Sequence, residues 1–264
     1  MTLTPPAGAS VGAGVGAGAV RLVMNSGVVA GLLVRAQSSS NFVTSQWYEA
    51  PTTTASTLWT GHVAANVATV TADSGGLWAV TGPLSSGLAE STDGGTTWAP
   101  VSLQGCTTVD AALAVLGASS TGGIVVAVTT ATTSGATWKT CSRQDSGAWS
   151  ASQATDVTAV VGPGVSLPSS LAGATAVMAT PDGSRVVTAQ PAGTTASTNK
   201  APTLLSTNGL PSGVSDLSAA SATSLTAVVT SDQCPDGTKT SCQPATTSYT
   251  SKDGGQTWQP MTSA

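Results

Sequence analysis

Short runs of β-branched and apolar residues alternate with clusters of Gly, Ser, Asp and Pro along most of the chain, and helical periodicity is almost absent. The runs predict strands over 28–35, 42–48, 67–71, 77–81, 88–91 and 97–101. Others fall at 124–129, 137–142, 157–161, 174–179, 185–189, 225–230, 247–251 and 256–259. Residues 110–116 fit one or two helical turns and a strand equally well. Turn formers separate the runs, so the pattern predicts an all-β chain of antiparallel hairpins.

One octapeptide stands out from this background. Ser91-Thr-Asp-Gly-Gly-Thr-Thr-Trp98 returns as Ser251-Lys-Asp-Gly-Gly-Gln-Thr-Trp258, identical at six of eight positions. Each copy follows a β-rich run and precedes a Pro two residues beyond the Trp. Asp-Gly-Gly between two strands is a hairpin signal, because Gly reaches the positive φ that the turn requires. The Asp carboxylate can accept backbone N–H groups within the turn. The Trp offers a large apolar face for packing between layers. Every defined position, Ser91, Asp93, Gly95, Thr97 and Trp98 with Ser251, Asp253, Gly255, Thr257 and Trp258, therefore has a structural role.

The octapeptide resembles the Asp box, or BNR repeat, of form Ser/Thr-x-Asp-x-Gly-x-Thr-Trp. That motif occurs in sialidases, sortilin-type receptors, xyloglucan-degrading enzymes and photosystem assembly factors. There it lies on the turn between the third and fourth strands of a propeller blade. The resemblance implies a β-propeller of antiparallel four-stranded sheets. Residues 76–101 then supply strands two to four of one blade, and 225–260 repeat the order with an inserted loop. A degenerate copy, Ser142–Trp149, follows a second and third strand at 122–129 and 137–142. The segment Thr180-Pro-Asp-Gly-Ser-Arg-Val-Val187 resembles a hairpin between first and second strands. Leu204–Gly209 fits a third strand and an eroded turn. Trp59, Trp98, Trp149, Leu210 and Trp258 recur at intervals of roughly 40–60 residues, near the period of propeller repeats. This implies about five blades, or six, within one domain over 19–264. The alternative architecture is a β-sandwich or an incomplete propeller. Residues 1–18 form a Gly/Ala-rich lead, read as a flexible tail or tether.

Composition narrows the setting. Charged residues make up 8% of the chain and the net charge is −4. The eight Lys and Arg are scattered, which excludes the basic face that nucleic acid requires. The apolar stretch over 16–34 is broken by Arg21, Asn25 and Ser26, so no membrane insertion is expected. The four cysteines form no Cys-x-x-Cys pair. Cys234 and Cys242 flank a turn-rich loop and suit a short bridge, which leaves Cys106 to pair with Cys141. Such bridges imply an oxidising, extracytoplasmic compartment; four free thiols in a cytosolic protein is the alternative. The N-terminus shows no export signal, so an exported form would have had its signal or lipid anchor removed.

Candidate chemistry is sparse. The sialidase resemblance requires three Arg around a carboxylate and an Arg-Ile-Pro-like start. The four Arg are Arg21, Arg35, Arg143 and Arg185, and Val20-Arg-Leu-Val23 lacks the Pro. Glycosidases need two carboxylates at a set separation; Glu49 and Glu90 are the only glutamates, and both read as surface or hairpin-rim groups. His62 is the lone histidine and no Gly-x-Ser-x-Gly elbow exists, so a Ser-His-Asp triad has little support. No metal-ligand cluster is visible, and neither metal nor cofactor is expected. No residue is nominated as catalytic. Trp47, Tyr48 and Trp59 flank a Thr-rich segment and are candidates for stacking on a sugar or a protein, against the plainer reading that they pack between blades. The expected role is a non-catalytic extracytoplasmic scaffold or binding module for a protein or glycan on the cell envelope. The alternative is a glycoside-active enzyme with an acidic site in the propeller funnel.

Overall fold

The computed structural model describes residues 20–25, 29–37, 43–51, 60–64, 67–72, 76–81, 86–93, 97–106, 111–118, 123–143, 147–159, 161–162, 164–191, 201–233 and 243–261. Among them every regular element is a strand. The first sheet holds β1 (Val20–Asn25), β2 (Val29–Gln37), β3 (Val43–Pro51) and β4 (Thr60–Ala64), and the second holds β5 (Val67–Ala72), β6 (Leu77–Thr81), β7 (Gly87–Ser91) and β8 (Ala99–Val101). The third comprises β9 (Ala111–Ala118), β10 (Ile124–Thr132), β11 (Gly135–Arg143), β12 (Ser150–Ala151) and β13 (Thr155–Val157). The fourth holds β14 (Ser169–Ala172), β15 (Thr175–Ala179), β16 (Arg185–Ala189) and β17 (Thr203–Ser206). The fifth holds β18 (Val214–Ala219), β19 (Leu225–Gln233), β20 (Gln243–Ser251) and β21 (Gln259–Pro260). Each sheet is an antiparallel meander of strands consecutive in the chain. In the third, β12 and β13 both pair with β11, as an outer strand interrupted at Ser152. Ser152 fills the break by donating its N–H to the Thr140 carbonyl and accepting the Thr140 N–H on its Oγ.

The apolar runs are explained by how these sheets stack. In β10, Val126 and Val128 enter the core between the second and third sheets, whereas Ala127 enters the core between the third and fourth. In β15, Met178 faces the third sheet while Val177 and Ala179 face the fifth. A middle strand is thus buried on both sides, and strict polar alternation disappears from its sequence. Trp78, Leu88 and Leu113 fill the first of these seams, Trp138 and Val187 the second, and Val186, Leu225 and Trp258 the third. Full burial of a Val or Leu side chain contributes about 1.5–3 kcal/mol, so the seams carry most of the driving force.

Residues 111–116 of the segment that fitted helix and strand equally well lie in the strand β9, with Ala111 to Leu113 buried against β10; Asp110 lies outside the described residues. Two sheet positions differ from expectation. The Thr180–Ser184 turn joins β15 to β16, the second and third strands, rather than the first and second. Leu204 and Leu205 lie on β17, which is the fourth, outer strand and not a third. A Pro-Asp-Gly sequence specifies a tight turn; the strands it joins depend on a first strand, β14, whose sequence Ser-Ser-Leu-Ala carries almost no strand signal.

The link from the fourth sheet to the fifth is fixed by backbone contacts. Asn208 N–H donates to the Gln256 carbonyl, and Trp258 N–H donates to the Asn208 carbonyl. Gly209 follows at φ +83°, where a Cβ would sit 2.6 Å from the Trp258 carbonyl oxygen. Only glycine meets both demands.

Candidate functional site

The two octapeptides form near-identical hydrogen-bond cages. Ser91 Oγ donates to Asp93 Oδ1 at 2.8 Å, Thr97 N–H to the same oxygen at 2.9 Å, and Thr97 Oγ1 to Oδ2 at 2.6 Å. Ser251, Asp253 and Thr257 repeat these contacts at 2.8, 2.9 and 2.6 Å. The Thr hydroxyl, then the Thr N–H, then the Ser hydroxyl hold each carboxyl in its charged form, with a pKa lowered to about 2. Ser251 Oγ also accepts the Gly255 N–H, and the Trp258 indole N–H donates to the Gly255 carbonyl. Trp258 is buried against the fourth sheet, and a Cβ on Gly255 (φ +96°) would meet Val186 at 2.8 Å. Each turn lies between the third and fourth strands of its sheet. Gly95 lies outside the described residues. Both oxygens of each carboxylate thus accept hydrogen bonds from within the turn, which gives them a structural job in the hairpin.

The degenerate copy does different work. Arg143, at the end of β11, places its guanidinium 5.0 Å from the Trp78 ring centroid and 5.3 Å from that of Trp149. It also pairs with Glu90 at 3.1 Å. Arg143 Nε and Trp149 Nε1 are buried without a hydrogen-bond partner, so ring contact and the ion pair hold this cluster. Glu90 is therefore a half-buried seam residue and not a free rim carboxylate. Cys106 and Cys141 form a disulfide in the same seam, with a Cα–Cα distance of 5.9 Å. Cys234 and Cys242 lie outside the described residues.

Trp47 and Tyr48 stand on β3, opposite His62 and Gly61 of β4 in the register. Their side chains, and the whole of Trp59, lie outside the described residues, as does the side chain of Glu49.

Sequence reasoning missed the cavity bordered by the first strands. β1, β5, β9, β14 and β18 lie side by side in chain order. A cavity of about 420 Å³ opens among the last four of them. Thr71 of β5 donates its hydroxyl to the Val115 carbonyl of β9. On the next strand, Ser169 Oγ accepts the Trp138 indole N–H and donates to the Leu167 carbonyl. Its neighbour Ser170 accepts the Ala219 N–H of β18, which joins the fourth sheet to the fifth. Asp216 and Ser218 project from β18, both exposed. Asp216 Oδ1 accepts the Leu217 N–H. Among the described lining residues Asp216 is the single charged group.

The GH74 enzyme of Niastella koreensis superposes at TM-score 0.55 with 17% identity, over 91% of this chain and 38% of that one. YCF48 from Cyanidioschyzon merolae superposes at TM-score 0.54 with 14% identity, over 91% of this chain and 70% of that one. Both are β-propellers. This chain has the β-propeller fold. Its sheets are blades, its Asp-box turns follow the third strand of a blade, and its first strands line a funnel. It thus resembles the BNR, or Asp-box, propellers. The chain spans about two fifths of the length of the GH74 enzyme. No protein-family model and no curated protein matches the sequence. At these identities the likeness is one of fold.

Proposed function

We propose that this propeller is a non-catalytic binding module of the cell envelope, recognising a protein partner or a surface glycan in an extracytoplasmic compartment. The observation that carries the reading is the wall of the funnel. Its described residues offer serine and threonine hydroxyls and one carboxylate, Asp216, a set suited to hydrogen bonding. The Asp-box carboxylates are engaged within their own turns, and Glu90 is paired with Arg143, so none of these is free to act elsewhere. The Cys106–Cys141 disulfide supports folding in an oxidising compartment.

The structural likeness to a GH74 enzyme favours a second reading, a glycoside-active enzyme. Hydrolysis of that kind needs two carboxylates roughly 5–10 Å apart across the bond to be cleaved. Among the described lining residues Asp216 has no second acid beside it. One experiment separates the readings. The chain is applied to a glycan array and used in a pull-down from the envelope fraction, and bound saccharides are checked for cleavage. Retention of an intact glycan or a specific envelope protein is the expected result. Release of new reducing ends would overturn the non-catalytic reading, and absence of any specific capture would overturn the binding reading.

A further inference from the structure

Of the two partner classes above, the funnel favours one. We infer that it binds a neutral saccharide, with Asp216 and Ser218 of β18 as the principal contacts; this rests on the binding-module reading. The cavity volume of about 420 Å³ falls within the range of small-molecule sites, roughly 300–1,000 Å³. Asp216 and Ser218 are two residues apart on one strand, so their side chains leave the same face of the sheet. Asp216 spends Oδ1 on the Leu217 N–H, which fixes the carboxylate and leaves Oδ2 for a ligand hydroxyl. A carboxylate accepting from a hydroxyl makes a short, charge-assisted bond, and a serine hydroxyl beside it can donate or accept.

Charge decides the class of sugar. No Lys, Arg or His is among the described lining residues, and the single ionised group is negative. An acidic sugar would meet a like charge with no cation among the described lining residues to offset it. A neutral hydroxyl-rich ring meets donors and acceptors that match its own. The described wall also lacks an aromatic ring on which a sugar could stack. Among the described residues recognition then rests on hydrogen bonds in a solvent-open site, so a single ring is held weakly.

The test is saturation-transfer NMR and calorimetric titration of the full chain with methyl glycosides of glucose, galactose and mannose, and with cellobiose and lactose. Glucuronate and N-acetylneuraminate serve as acidic probes. At least one neutral probe binds, and both acidic probes bind at least tenfold more weakly. Asp216→Ala weakens the neutral probe by about tenfold or more, in line with loss of a hydrogen bond to a charged group. Asp216→Asn keeps an acceptor for the Leu217 N–H and weakens binding less, and Ser218→Ala has a smaller effect of about two- to fivefold. Circular dichroism of each variant checks the fold. Failure of every neutral probe to bind, equal binding of an acidic probe, or unchanged affinity in the well-folded Asp216→Asn and Asp216→Ala variants would overturn the inference. Array or pull-down capture that survives Asp216→Ala would overturn the funnel assignment and leave the binding-module reading standing. Absence of all capture removes both.

Discussion

Arg143 reaches across the seam between the second and third blades to pair with Glu90 at 3.1 Å. Its guanidinium also lies near the rings of Trp78 and Trp149. Ring contacts of this kind contribute about 0.5–1 kcal/mol each, and this partly buried ion pair, once its desolvation is offset, about 0–1 kcal/mol. Arg143→Ala is expected to lower unfolding free energy by about 1–3 kcal/mol, since it also removes the packed stem. Glu90→Gln should cost less than about 1 kcal/mol because the ring contacts persist. Urea denaturation of both variants checks this; an equal cost for the two would show that the ion pair dominates.

The Cys106–Cys141 bridge closes a separation of 35 residues, and both cysteines are fully buried. Constraint of the unfolded chain by a loop of that length contributes about 3–4 kcal/mol. Cys106→Ala with Cys141→Ala should lower stability by that order. In the native protein, mass spectrometry after alkylation without reductant should find neither cysteine labelled. Labelling of either would contradict the bridge.

Asp93 and Asp253 have pKa values near 2, below the ordinary 3.8 of an Asp in an unfolded chain. The charged form is favoured by folding, so this contribution is complete above about pH 4 and is lost as pH falls from about 4 to 2. Melting temperature should therefore decline over that interval. Asp253→Asn and Asp93→Asn should each lower the melting temperature at pH 7 and reduce its slope between pH 4 and pH 2. A slope unchanged in the double variant would show that other carboxylates set the acid response.

Gly255 stands at φ +96°, with Val186 of the fourth blade 2.8 Å from where a Cβ would be. Gly255→Ala combines a disfavoured backbone with overpacking and should destabilise by about 2–4 kcal/mol. Gly255→Ala with Val186→Ala relieves only the clash. If the double variant is no more stable than expected from adding the two single changes, the close approach carries no energy.

The hairpins were legible in the sequence where turn chemistry is specific. Asp-Gly-Gly framed by Ser, Thr and Trp marks a third-to-fourth-strand turn, and the structural neighbours are propellers. Buried middle strands such as β10 and β15 were legible as unbroken apolar runs. Two of the inner strands were not. β14 and β18 read Ser-Ser-Leu-Ala and Val-Ser-Asp-Leu-Ser-Ala because one side faces a wet funnel and few apolar residues are needed. The same polarity that hid these strands makes them the candidate site. The Arg143 cluster was hidden for another reason: Arg143 lies 53 residues from Glu90, and nothing local announces their contact.

The most direct test of the account is backbone-resolved NMR of the intact chain titrated with a neutral saccharide that it binds. Shifts confined to the funnel wall and largest around Asp216 and Ser218 of β18 are the predicted result. Shifts centred on the Asp-box turns at 91–98 or 251–258, with the inner strands silent, would contradict the division of labour between turns that build the blades and a funnel that binds.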